Sequence, residues 1–214
     1  MNEKKLFSCS DCNVFSCSTQ EKDFPKGCLG EGAESERFKE LYNNDPFVAK
    51  FSKAAAEIEG CYYCEYTRVE ETVAFAKRIG AKKVGVAACL GLLAEAKTFV
   101  KILDAHGIDN FCANCKVGSI DKSEVGIGES FRVKKEGFEG MCNPVLQAEL
   151  MNEQGTDLNI IIGLCVGHDA LFSKYSDAPV TTLITKDRVL VHNPVAALYS
   201  TDRYYKKLLT PEIR

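Results

Sequence analysis

The chain reads as a three-layer, Rossmann-like α/β domain with a mostly parallel sheet of about four to five strands. Two observations point there. Short apolar runs, KKVGVAAC, LNIIIGLC and PVTTLIT among them, alternate with amphipathic stretches of helical period, several of which end in glycine. The 214 residues, 45% hydrophobic with a net charge of only -3, also suffice for a core without staples and exclude disorder for most of the chain.

Residues 1–34 form a Cys-rich segment, CSDCNVFSCSTQEKDFPKGC at its heart, with turn-forming composition and no periodic apolar face. The α/β domain is assigned to residues 35–214 and opens with two helices. Phe38, Leu41 and Tyr42 share one stripe before a break at Asn43 to Pro46, and Phe47, Phe51, Ala54, Ala55 and Ile58 recur at helical spacing on the way to Tyr63. RVEETVAFAKRIG is an amphipathic helix ending at Gly80, and KKVGVAAC is a strand buried on both faces. The helix LGLLAEAKTFVKILDAHG, the strand IDNFCANC, a Gly-containing stretch from Val117 to Gly140, and the helix NPVLQAELMNEQG follow. LNIIIGLC, a short helix over His168 to Tyr175, and PVTTLIT complete the alternation. A turn at Lys186 and Asp187 is expected to return RVLVH as an antiparallel edge strand, before a C-terminal helix starting near Asn193 and Pro194. Right-handed crossovers predict the strand order second, first, third, fourth.

Eleven cysteines are the unusual figure. The start MNEKKLFSCS has no apolar signal-peptide core, and no run approaches the roughly 18 apolar residues of a membrane span. These features predict a cytoplasmic, soluble protein, in which thiols serve as metal ligands or reactive groups rather than as disulfides. With 27 basic against 30 acidic residues and no polybasic block, nucleic acid and membrane are excluded as expected partners.

The cysteines fall into three groups. Cys9, Cys12, Cys17 and Cys28 have the spacing C-x2-C-x4-C-x10-C, which brings two thiolates onto one tight turn with two more in reach, as four-sulfur zinc or iron–sulfur sites require. Cys61 and Cys64 form a CxxC that shares one face if the preceding helix continues; they count as further metal-ligand candidates, with burial beside Tyr62 and Tyr63 as the alternative. Cys89, Cys112, Cys115 and Cys165 end or follow strands, and Cys142 precedes a helix leading into one. Since the carboxyl ends of parallel strands share one edge, these five are expected to converge on a cleft at the switch point and to hold the cofactor. A single strand-end cysteine is an ordinary small buried residue; several at corresponding ends are not.

Around them, helix N-termini favour anions, and Gly91, Gly118 and Gly167 allow close backbone approach. His168 and its neighbour Asp169 are candidates for ligand, proton-donor or capping roles, and Lys116 for pairing with a thiolate. His106 is read as a helix C-cap, and His192 sits where a strand end could bring it to the cleft. No GxxxxGK[ST], dinucleotide-binding turn, GxSxG or HExxH pattern occurs.

CKVGSI, MCNPVLQA, GLCVGHDALF, APVT and HNPVAALY, together with the N-terminal cysteines, resemble a prokaryotic family, domain-of-unknown-function family 1847. The resemblance covers nearly the whole chain. It implies metal binding in general, without a reaction, a metal or a ligand set. The expected function is a metal-binding protein with a Cys-ligated iron–sulfur cluster in the α/β cleft, in electron transfer or sulfur-type small-molecule chemistry. Zinc in a structural or regulatory role, and a metal-free thiol redox enzyme or sensor, are the alternatives. Its partners are then a metal ion or cluster and a small-molecule or redox partner.

Overall fold

A computed structural model describes residues 8–30 and 35–211; residues 1–7, 31–34 and 212–214, including the start of the chain and the expected boundary at 34/35, lie outside the described residues. The chain divides into two compact units, Met1–Ala56 and Glu57–Arg214. The first contains α1 (Ser16–Thr19), α2 (Ser35–Asn44) and most of α3 (Pro46–Tyr62). Phe38, Leu41 and Tyr42 on α2 are exposed, so the expected stripe is not a core face here. Asp45 caps α3 by accepting from the N–H groups of Phe47 and Val48, each at 2.9 Å, which is why the helix restarts at Pro46.

The second unit is built on four parallel strands: β1 (Lys83–Ala88), β2 (Asp109–Asn114), β3 (Leu158–Ile162) and β4 (Val180–Ile184). Their order is β2-β1-β3-β4, as the crossover rule requires, with the switch point between β1 and β3. Helices cover both faces: α4 (Arg68–Arg78) and α5 (Leu93–Ala105) on one, α6 (Pro144–Glu153) and α7 (His168–Tyr175) on the other. Burial on both sides explains the continuous apolar runs, with Val84, Val86, Ala87 and Ala88 fully buried. Thr67 and Glu70 close a reciprocal capping box at the start of α4.

The antiparallel edge strand expected at RVLVH does not form. Asp187 takes the N–H groups of Val189 and Leu190 on its carboxylate, at 3.0 and 2.8 Å, and His192 N–H bonds back to the Asp187 carbonyl at 2.9 Å. Val191 and His192 are left-handed, and Val189 and Val191 point to solvent. The Asx-type turn thus outcompetes the apolar alternation, and the sheet stays wholly parallel. The expected C-terminal helix is one turn, α8 (Val195–Leu198), followed by turns and a 3₁₀ segment.

At the centre of β1, Gly85 gives room to the buried Asn159, whose amide bridges Thr156 (2.8 Å) and Ser176 (2.6 Å). A Cβ at Gly85 would lie 2.0 Å from Asn159 Oδ1 and 2.7 Å from Met151 Sδ. Gly85→Ala is expected to destabilise the chain by about 1–3 kcal/mol or more, read as a lowered denaturant midpoint at unchanged slope. An unchanged midpoint would contradict this packing.

Candidate functional site

The carboxyl edge of the sheet gathers sulfur. Cys89 follows β1, Cys115 follows β2, Cys142 immediately precedes the cap of α6, and Cys165 lies three residues beyond β3. Backbone bonds set these positions. Cys89 N–H donates to the Ile162 carbonyl at 2.9 Å, tying the first thiol to the neighbouring strand. Asn143 N–H donates to the Cys115 carbonyl at 2.8 Å, while the Asn143 side chain caps α6 through Leu146 N–H at 3.1 Å. The Asn-Pro that starts the helix therefore also holds Cys142 beside Cys115. Their sulfurs are 3.8 Å apart.

Cys115 is the hub. It is buried against Ala87, Ala113, Met151 and Phe172, is hydrogen-bonded to both Cys142 and Cys89, and accepts Leu90 N–H at 3.4 Å. Those two sulfur contacts, then burial, push its thiol well above the usual range. The same contacts work in reverse on its neighbours. Cys89 is held down to about 4, first by Cys115 and, against burial, by Gly91 N–H and Lys186. Cys142 is held down to about 5 by Cys115 and, against burial, by Lys116 and His168. Cys115 has one proton for two partners, so it supports one thiolate at a time and the three sulfurs titrate as a set.

Cations surround this set. Lys116 Nζ lies 3.3 Å from Cys142 Sγ and donates to the Gly140 carbonyl at 2.6 Å, so the expected lysine–thiolate pair is present. Arg188 Nη2 lies 3.0 Å from Cys165 Sγ, and Lys186 acts on Cys89. Lys186 and Arg188 were not among the residues singled out from sequence. Their signal was position alone, two cations just past the end of β4 on the edge where the thiols collect.

The other candidates separate from this group. Cys112 lies within β2 opposite Val86, and the pleat turns it away from Phe111 and Ala113 to the opposite face, where burial raises its thiol. Asp169 is occupied in capping its own helix through Gly167 and Ala170 N–H, at 2.9 and 2.8 Å. His106 is the C-cap residue of α5 and touches Lys77 at 3.0 Å; His192 accepts Asp187 N–H at 3.1 Å within its turn. Cys61 and Cys64 are exposed and do not share a helix face: α3 ends at Tyr62, Cys64 is left-handed, and Tyr62 stacks on Tyr66 at 3.9 Å across the turn.

In the first unit Cys9 and Cys17 are exposed and Cys12 and Cys28 half-buried. Cys12 sulfur takes the backbone N–H groups of Phe15 and Val14, which lower its thiol, and Cys28 sulfur takes Gly30 N–H at 3.4 Å. Such N–H···S turns hold a thiolate in place. As they stand, no three Cys, His, Asp or Glu side chains among the described residues converge tightly enough to enclose an ion.

A family model described as a protein of unknown function, DUF1847, matches residues 28–183. The chain belongs to this family. An uncharacterised protein of Methanocaldococcus jannaschii is 45% identical over 204 residues, covering 94% of this chain and 97% of that protein. The DUF1847 match takes in Cys89, Cys115, Cys142 and Cys165, with Lys116 and His168, and ends before Lys186 and Arg188. No helix among the described residues is long and apolar enough to cross a membrane.

Two outcomes are expected of metal-free protein. At about pH 6, limited iodoacetamide labelling followed by peptide mapping is expected on Cys89 or Cys142 and not on Cys115 or Cys112; labelling that begins only above about pH 8 would contradict the assigned thiolates. In the 117–142 loop, Asp121 is held down to about 2 by Ser123 and by Glu139 N–H, and Glu139 is lowered chiefly by Lys122 at 2.7 Å. Because both carboxyls are lowered in the fold, their contribution is present above the ordinary carboxylate range and is lost as pH falls from about 4 towards 2. Amide exchange in this loop is expected to rise over that window, ahead of exchange in β1.

Proposed function

We propose that this DUF1847 protein is a sulfur-ligated metal protein, with Cys89, Cys115 and Cys142 as cleft ligands and Cys165 as the nearest candidate for a fourth. The supporting observation is the 3.8 Å separation of the Cys115 and Cys142 sulfurs. In a tetrahedral site with metal–sulfur bonds of about 2.3 Å, two ligand sulfurs lie about 3.8 Å apart. That spacing suits two cysteines on one metal atom, as in a zinc site or a [2Fe–2S] corner. In a cubane cluster each cysteine binds its own iron and the sulfurs stand farther apart, so the geometry favours the first two over a [4Fe–4S] centre. Lys116, Lys186 and Arg188 would offset the negative charge of such a thiolate set. Bound there, zinc supplies structural closure or Lewis acidity, and a two-iron cluster supplies one-electron transfer.

A cavity of about 450 Å³ opens between the first turn of α4, the middle of α5 and the ends of β3 and β4, lined by Phe99, Ile102, Ile162 and Ile184 with Arg68 at its side. Its volume suits a small molecule. Ile162, in its wall, carries the carbonyl that holds Cys89. The N–H···S turns at Cys12 and Cys28 support a second metal on the amino-terminal segment.

Lys116 beside Cys142 also favours a second reading, a metal-free dithiol in which Cys142 thiolate and Cys115 exchange with a disulfide substrate, forming one S–S bond and breaking another. Elemental and acid-labile sulfide analysis of anoxically purified protein separates the two. The metal reading expects at least about one zinc or two irons per chain in the cleft, removed by Cys115→Ala or Cys142→Ser. Protein with neither zinc, iron nor sulfide would overturn it, as would full metal content in both variants.

A further inference from the structure

Gln147 is fully buried on α6, and its side chain reaches the strand ends beneath the thiols. Its Nε2 donates to the Ala113 carbonyl at 2.8 Å and to the Ala88 carbonyl at 3.2 Å. Ala88 is the last residue of β1 and precedes Cys89; Ala113 lies two residues before Cys115. Gln147 N–H makes only the first regular helix bond of α6, to the carbonyl of the N-cap Asn143 at 3.1 Å. Its side chain is thereby bonded to the two strand ends that carry Cys89 and Cys115, while Cys142 leads directly into α6 itself.

The amide orientation is fixed, because only the NH₂ end can serve two carbonyls. That leaves Oε1 buried with no hydrogen-bond partner. An orphan acceptor of this kind carries a desolvation cost, which a leucine or methionine of similar size would not. Packing alone therefore does not account for a glutamine here. What the amide adds is a clamp on two carbonyls at the point where the strands deliver Cys89 and Cys115, and an oxygen available to a donor beside them.

We propose that Gln147 is the positioning residue of the thiol centre: its NH₂ sets the spacing of the Cys89 and Cys115 segments. The proposal rests on the metal reading only for its most sensitive readout. The partners of ligating groups in proteins commonly change metal affinity by 10–100-fold when removed.

The test is Gln147→Leu, with Gln147→Met as the second variant should Leu fail to fold, in the full chain titrated with Co²⁺, whose thiolate charge-transfer band reports sulfur ligation. Asn159→Ala, a buried amide in the part of β3 away from the thiols, serves as the control for general destabilisation. Weaker Co²⁺ binding by roughly 10–100-fold in the Gln147 variants, with an altered charge-transfer band, is expected, against near wild-type binding in the Asn159 variant. If the Gln147 variants melt earlier yet bind Co²⁺ with the wild-type affinity and spectrum, Gln147 is only a packing residue and the proposal falls. If the wild-type chain binds no Co²⁺, the metal reading fails. The proposal is then decided by phenylarsine oxide, which bridges closely spaced thiols. Slower bridging of Cys89 and Cys115 in the Gln147 variants than in the Asn159 variant supports it, and equal rates overturn it.

Discussion

The thiol edge depends on the pairing of β1 along both of its sides. Parallel bonding to β2 and to β3 puts the ends of three strands level, and the crossover rule sends the following segments to opposite faces from that line. Cys89 and Cys115 arrive at adjacent strand ends because Ala88 is in register with Asn114. Cys142 arrives from the other direction, down the loop that ends at α6, and Asn143 locks it to the Cys115 carbonyl. No single contact makes this cluster. A one-residue slip of β2 would turn Cys112 and Cys115 to each other's faces and dismantle it.

Burial and charge then divide the work among the sulfurs. Cys115, inside the apolar cluster with Met151 and Phe172, is the poorest place in the group for a negative charge. Cys89 and Cys142 sit at the margin of that cluster, each with a lysine, and are the better places. A proton held by the hub and shared outward is the arrangement that follows. Thiolate charge at this edge is offset by nearby cations: Lys116 beside Cys142, Lys186 acting on Cys89 and Arg188 beside Cys165.

The parallel sheet, its strand order and the convergence of thiols were legible because each rests on a rule with few exceptions: apolar runs buried on both faces, right-handed crossovers, and a shared carboxyl edge. The illegible parts were decided by hydrogen bonds of individual side chains. RVLVH has the alternation of a strand, but Asp187 can satisfy two N–H groups locally, and the turn wins. Cys112 and Cys115 are three residues apart with the end of the strand between them, so Cys112 points to the opposite face and Cys115 becomes the hub; spacing alone treats them alike. Arg188 opens the segment whose alternation suggests a strand, and Lys186 stands in the turn before it, where sequence assigns it no role beyond the turn. Gln147 sat in an ordinary amphipathic helix, and only its two carbonyl partners and its unpartnered oxygen distinguish it.

The 117–142 loop has more to do than connect β2 to α6. Lys116 is held by the Gly140 carbonyl, Gly140 bridges Asp121, and Asp121 is tied to Arg132 and to Glu139 N–H. Lys122 and Glu139 form a further pair that is mostly shielded from solvent. Each of these bonds fixes the last residues of the loop, and Cys142 is the second residue after Gly140. The position of Cys142, and of the ammonium beside it, is therefore set from both directions: by α6 through Asn143, and by the loop through Gly140. Loosening the loop would leave the strand ends and the hub in place while freeing the third sulfur and its cation. The centre is thus assembled from one half on the sheet, Cys89 and Cys115, and a half whose order depends on a largely shielded network of carboxylates in the loop.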